Sequence, residues 1–164
     1  MIELLRIPLV NRPGQLFDVV TILSKAGVDM KALSLTNHGG DASEVLLLVT
    51  NMVKAREALA ESGRKASSQP AVVVEVPDRA GGLASVLEAT TKAGLSINDL
   101  FTFVTRVEGK ALAVVTFDDN ERAATLLREA GVSVVDQKAI AADGRSREAG
   151  PYLLDDYLGG SFFW

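Results

Sequence analysis

Apolar and polar positions in the first half of the chain alternate in patterns that predict strands and helices. Residues 2–9 alternate as a strand does, and the residues after Pro13 follow the spacing of an amphipathic helix that ends at Gly27. The predicted elements are, in order, a strand over 2–9, a helix over 13–26, strands over 28–36 and 45–50, and a helix over 52–62. We expect a short fourth strand over 64–68, before Pro70.

The second half repeats this order and predicts the fold. Its elements are a strand over 71–76, a helix over 81–93, strands over 95–106 and 111–117 around a turn at 108–110, a helix over 120–130 and a closing strand over 132–140. Each half reads βαββαβ, which predicts an α+β fold of two ferredoxin-like modules in tandem, with antiparallel sheets and both helices on one face. The expected boundaries are 1–69 and 70–140, with 141–164 as a linker and an apolar, aromatic tail.

Two short segments recur at a constant offset between the halves. Residues 11–16 (Asn-Arg-Pro-Gly-Gln-Leu) correspond to 78–83 (Asp-Arg-Ala-Gly-Gly-Leu), and residues 25–30 (Lys-Ala-Gly-Val-Asp-Met) correspond to 92–97 (Lys-Ala-Gly-Leu-Ser-Ile). A duplicated unit favours two equivalent modules that face each other, with a binding site at their junction. The repeat therefore indicates a symmetric sensor rather than an enzyme with one cleft.

Composition argues against several other classes of function. A formal net charge of −4 argues against a nucleic-acid partner, and the absence of cysteine excludes thiol chemistry and disulfides. We see no signal peptide and no apolar run of membrane-spanning length, so we expect a cytoplasmic protein with no membrane contact. His38 is expected to be an exposed loop residue and Asp119 a helix cap. We find no catalytic set, cofactor motif or metal-ligand spacing, and therefore expect no enzyme activity and no cofactor.

The repeated segments at this spacing resemble the ACT domain family over residues 2–140. The resemblance implies a small ligand-sensing module that regulates enzymes of amino-acid metabolism. In members of the family, three polar positions hold the amino acid: the residue ending the first strand, the one two places before it, and the one opening the second strand. Here these positions are Asn11, Leu9 and Asp29 in the first copy, and Asp78, Val76 and Ser96 in the second. Leu9 and Val76 replace a histidine of those relatives, so the implied site has different chemistry.

The residues themselves support a site at the two loops. A strand that ends in Asn-x-Pro-Gly before a helix presents unpaired N–H groups that attract a carboxylate, although Asn11 and Asp78 are also ordinary helix-cap types. The two strands of a βαβ unit run parallel, so residues 11 and 29 lie at opposite ends of one sheet, and one ligand must bridge two modules. Whether that junction forms within one chain or between chains is open.

The two possible junctions differ in charge. Asp78 and Asp29 would bring two carboxylates together, whereas Asn11 and Ser96 keep the first junction neutral. The expected site comprises Asn11, Pro13, Gly14, Gln15 and Leu16, with Ser96, Ile97 and Asn98 opposite. A weaker second site comprises Asp78, Gly81, Gly82 and Leu83, with Asp29 and Met30 opposite.

These observations lead to one functional prediction and one alternative. We expect a regulatory protein that binds a small amino acid or related metabolite at the module junctions, forms a homodimer and shifts between arrangements of different affinity. Alternatively, the apolar tail over residues 152–164 docks on an enzyme of amino-acid metabolism, with ligand binding weak or lost. The tail could also cover its own sheet or a dimer interface. Deletion of the tail would separate partner capture from ligand binding.

Overall fold

A computed structural model describes residues 1–103 and 110–143. The elements are β1 (Ile2–Val10), α1 (Gln15–Lys25), β2 (Met30–Gly39), β3 (Ala42–Val49), α2 (Met52–Glu61), β4 (Ser67–Pro77), α3 (Gly82–Lys92), β5 (Ile97–Thr102), β6 (Lys110–Phe117), α4 (Asn120–Glu129), β7 (Val134–Val135) and α5 (Gln137–Asp143). The predicted turn at 108–110, the end of the strand predicted over 95–106, and the tail lie largely or wholly outside the described residues. No described helix is long and apolar enough to cross a membrane.

The strands form one continuous sheet in the order β2-β3-β1-β4-β6-β5, with β7 also paired to β4. Within it, β2, β3, β1 and the first part of β4 form one ferredoxin-like set, which we call the first repeat together with α1 and α2. The remainder of β4 with β5, β6 and β7 forms the second repeat, together with α3 and α4. All the strand pairs are antiparallel. The predicted α+β class with two ferredoxin-like modules is confirmed.

Strand β4 belongs to both repeats, which corrects the prediction of separate strands over 64–68 and 71–76. Its first part pairs with β1, up to Ala71 opposite Ile2, and its second part pairs with β6 from Val72 onward. Pro70 lies where the partner changes, so its missing N–H falls at a break in the ladder. There the Glu3 backbone N–H donates to the Gln137 side chain at 3.1 Å, and the Pro70 carbonyl accepts from the Asn120 amide at 3.2 Å.

The closing strand predicted over 132–140 is also wrong for most of its length. Only Val134 and Val135 pair, opposite Val74 and Val73 of β4. The chain then enters α5, because the Asp136 side chain accepts from the Ala139 backbone N–H at 2.9 Å and so caps a new helix. Residues 141–143, assigned to a linker from the sequence, continue this helix.

Three buried apolar clusters hold the elements together. One lies between α1, α2 and their sheet and includes Leu5, Val19 and Leu47; its counterpart under α3 and α4 includes Val74 and Leu127. The third cluster lies on the helix-free sheet faces of both repeats and comprises Ile2, Leu4, Ala32, Leu48, Ala71, Val73, Val114 and Ile140. Because it contains residues of both repeats, each repeat buries the other's helix-free face. Helices α1 to α4 are left on the outer faces, whereas α5 contributes Ile140 to this third cluster.

Candidate functional site

The first predicted loop, residues 11–14, connects β1 to α1 and is fixed mainly by backbone hydrogen bonds. The Asn11 N–H donates to the Asp41 carbonyl oxygen at 2.8 Å, and the Arg12 guanidinium pairs with the Asp41 carboxylate at 3.1 Å. Gly14 has a φ of 89°, a left-handed conformation that favours glycine. Asn11, Pro13 and Gly14 are exposed, whereas Leu16 packs against the first core cluster.

The second loop, residues 78–81, connects β4 to α3 with the same backbone pattern. Gly81 has a φ of 80°, like Gly14, while Asp78 and Leu83 are exposed. Gly82 is buried, and a Cβ at this position would lie 2.0 Å from the Pro77 carbonyl oxygen. Only glycine fits there without a shift of the backbone, so the second loop follows a tighter path than the first.

Neither Asn11 nor Asp78 caps its helix, which corrects the ordinary cap interpretation of both residues. The residues at the cap positions of α1 and α3 are Gly14 and Gly81, and no side chain accepts a capping hydrogen bond at either. In contrast, Asn51 and Asp119 cap α2 and α4, which confirms the predicted cap at Asp119. The first-turn N–H groups of α1 and α3 therefore lack a side-chain cap.

The residues expected opposite the loops lie where β2 and β5 begin. The Asp29 carboxylate pairs with Lys31 at 2.9 Å, and Met30 packs against the first core cluster. The Ser96 backbone exchanges two hydrogen bonds with Asp118, at 3.1 Å and 3.2 Å. Ile97 and Asn98 are exposed, and the register between β5 and β6 shifts at this point.

The two halves of the predicted first site have separate surroundings within the chain. No hydrogen bond among residues 1–103 and 110–143 joins residues 11–16 to residues 96–98. The side chains of Asn11, Ser96 and Asn98 also make no hydrogen bond within this part of the chain. They lie at the surface, where a ligand or a second molecule could reach them.

Arg64 connects α1 to the end of α2 in the first repeat, a contact that we did not predict from the sequence. Its guanidinium donates to Gln15 Oε1 at 3.3 Å and to Asp18 Oδ2 at 3.0 Å, and its side chain is only 22% exposed. Gln15, which we assigned to the ligand site, is therefore already a partner of Arg64 in this structure.

The corresponding place in the second repeat is a cavity of about 540 Å³, which we call the α3 cavity. Its lining includes Glu75, Val76, Ser85, Val86, Lys110 and Val132. The Lys110 ammonium donates to Glu75 Oε2 at 2.7 Å. This hydrogen bond is the main cause that lowers the pKa of the Glu75 carboxyl; partial burial opposes it and a hydrogen bond with Ser133 assists it.

The difference between Arg64 in the first repeat and the α3 cavity in the second is visible in the sequence, at equivalent positions of the two copies. Ser85 and Gly81 make the same backbone hydrogen bond as Asp18 and Gly14. Val132 donates to Leu127 as Arg64 donates to Leu59, so positions 64 and 132 are equivalent. Aligning the two copies beyond the loops would have shown that a charged pair in the first becomes serine and valine in the second.

These features define a class of protein: two ferredoxin-like units in tandem, each presenting an uncapped, glycine-containing loop before its first helix. The sequence matches the family model of the ACT domain pair over residues 1–143, and the chain belongs to this family. A comparison with curated proteins finds no match.

Several solved structures share the fold. Protein BT0572 from Bacteroides thetaiotaomicron superposes with a TM-score of 0.78 at 22% identity, over 85% of this chain and 94% of that one. The ligand-free regulatory subunit of aspartate kinase from Thermus thermophilus gives a TM-score of 0.57 at 18% identity, over 78% and 90% of the two chains. The corresponding subunit from Thermus flavus gives 0.51 at 17% identity, over 79% and 91%. At these identities the likeness shows the fold.

Proposed function

We propose that this chain is a non-catalytic regulatory protein that binds a small amino acid at the loops preceding α1 and α3. The observation that carries the proposal is the repeated loop itself. In both repeats a left-handed glycine leads into a helix whose first turn lacks a side-chain cap. Such a turn offers N–H donors and a favourable field to a carboxylate. Membership of the ACT domain pair family supports a ligand at this place.

We further propose that the first site is completed between two copies of the chain. Asn11 and Ser96 have separate surroundings within one chain, and both side chains are exposed and have no hydrogen-bond partner among the described residues. A homodimer could therefore place Asn11 and the loop up to Leu16 beside Ser96, Ile97 and Asn98 of the other copy. The second junction, with Asp78 beside Asp29, would bind more weakly because its two carboxylates repel a ligand carboxylate.

Regulation would follow from a difference in affinity between arrangements. A ligand held between two copies stabilises the arrangement it binds best, and can change the affinity for a partner enzyme only by that difference. Aspartate kinase has regulatory subunits with this fold. We propose an enzyme of amino-acid metabolism as the partner, in the cytoplasm.

A thermal-shift screen against single amino acids at millimolar concentration tests the binding proposal. A ligand at about 100 times its dissociation constant adds roughly 2.7 kcal/mol to the stability, enough to move the midpoint by several degrees. Asn11→Ala and Ser96→Ala should reduce the shift without lowering the basal stability, since neither side chain has a hydrogen-bond partner among the described residues. Asp78→Ala, at an exposed position of the equivalent loop, is the matched control at the other junction. A shift unchanged in Asn11→Ala and Ser96→Ala would refute the first site.

A further inference from the structure

The two repeats differ at one equivalent place, between the first helix of the repeat and the segment that follows its second helix. In the first repeat this place holds Arg64, hydrogen-bonded to Gln15 and Asp18. In the second, the same three positions are Val132, Gly82 and Ser85, and the α3 cavity lies beside them. Replacing a long cation and its two partners by valine, glycine and serine leaves room for a separate molecule.

The size and lining of the α3 cavity are those of a small-molecule site. Its volume of about 540 Å³ falls within the range of roughly 300–1,000 Å³ that is usual for ligand pockets. Val76 and Val86 are buried to 7% and 3% exposure and form an apolar floor with Val132. Polar groups lie around this floor, so the cavity combines an apolar surface with a few converging hydrogen-bonding groups.

The charged groups of the cavity carry opposite signs at close range. The Lys110 ammonium is 2.7 Å from Glu75 Oε2, and both side chains line the cavity. An ammonium has three N–H donors and a carboxylate about four acceptor positions, so each group keeps capacity for a second partner. The Ser85 hydroxyl donates to the Gly82 carbonyl oxygen at 2.7 Å, which leaves its oxygen able to accept.

We propose that the α3 cavity is a second binding site, separate from the loop junctions, for a small zwitterion with an aliphatic side chain. The ligand carboxylate lies against Lys110, its ammonium lies against Glu75, and its aliphatic part covers Val76, Val86 and Val132. The first repeat lacks this site because Arg64 occupies the equivalent place. The two repeats are therefore not equivalent at this place, and the response to ligand is asymmetric.

The test is a titration of the ¹⁵N-labelled full-length chain with L-valine, followed by the amide resonances of residues 76–86 and 130–133. We expect saturable shifts at these amides. Isobutylamine and isovalerate, which each keep one charge of valine, should bind about tenfold or more weakly, since each loses a charge-assisted hydrogen bond. Equal affinity for either analogue would overturn the assignment of a zwitterion, and the absence of saturable shifts with L-valine would overturn the site.

A pair of variants makes the test specific to the cavity. Ser85→Asp combined with Val132→Arg transfers the arrangement of the first repeat into the second, and should abolish the shifts while the chain stays folded. Lys110→Met is an independent variant of similar size that should weaken binding about tenfold or more. Asn11→Ala with Ser96→Ala should leave this binding unchanged, which distinguishes it from the loop junctions. Persistence of the shifts in the Ser85→Asp, Val132→Arg chain would overturn the proposal.

Discussion

Replacement of Gly82 by alanine tests the close approach of the Pro77 carbonyl to Gly82, which sets the path of the second loop. The new Cβ would lie 2.0 Å from the Pro77 carbonyl oxygen and 3.0 Å from its carbon, whereas ordinary contact begins at 3.4 Å. The backbone must therefore move by about 1.4 Å, or the helix must start later. Overpacking of this kind lowers the free energy of unfolding by about 1–3 kcal/mol, and the higher helix propensity of alanine restores up to about 1 kcal/mol. We expect a net loss of about 1–2 kcal/mol.

Thermal unfolding measures this loss directly. For a chain of this size, a loss of about 1–2 kcal/mol corresponds to a midpoint lowered by roughly 2–8 °C. Gln15→Ala is the matched control, because the same position in the first repeat already carries a side chain; it should cost no more than about 1 kcal/mol. A Gly82→Ala chain as stable as the parent, or more stable, would refute the close approach of Pro77 to α3.

Three further predictions concern the charged groups. Arg64→Met should lower the stability by about 1 kcal/mol in denaturant unfolding, since it removes partly exposed bonds between α1 and the end of α2. The folded-state pKa of Glu75 is lowered below its ordinary value of 4.5. The stability that the Glu75 carboxylate contributes is therefore present above pH 4.5 and is lost as the pH falls through the folded-state pKa. A Lys110→Met chain should show a shallower loss of stability in acid. Asp119→Ala should lower the free energy of unfolding by about 1 kcal/mol because α4 loses its cap, whereas Asp78→Ala should change it by no more than about 0.5 kcal/mol.

Much of the fold was predictable because local patterns and tertiary packing agree. The helix stripes, the glycine at 27 and the cap at Asp119 all lie where sequence rules place them. The shared strand β4 was missed because Pro70 ordinarily ends a central strand. It is tolerated because the strand changes partner there, which is a property of the whole sheet and leaves no local sequence pattern.

The end of the second repeat was predictable in principle but was misread. Residues 132–140 include five apolar residues at spacings that suit a strand or a helix, and only the Asp136 cap decides for α5. Short apolar runs of this kind are ambiguous by periodicity alone. The helix matters because Ile140 covers the cluster between the two sheet faces.

The α3 cavity could not be predicted from motifs. Its lining residues come from four separate segments of the chain. The repeated loop motif, residues 78–83, lies next to the cavity and contributes none of them. Glu75 and Lys110 are ordinary strand residues until the pairing of β4 with β6 brings them together. Comparison of equivalent positions in the repeats, such as Asp18 with Ser85, is the route by which sequence alone could have indicated it.

Ligand binding is tested most directly by an amide NMR titration of the full-length chain with each common amino acid in turn. We expect saturable shifts for one or a few amino acids, at Gly14 and Ser96 if the loop junction binds and at Gly131 and Val132 if the α3 cavity binds. Shifts at neither place with any amino acid would contradict a ligand-binding regulatory role for this ACT domain pair.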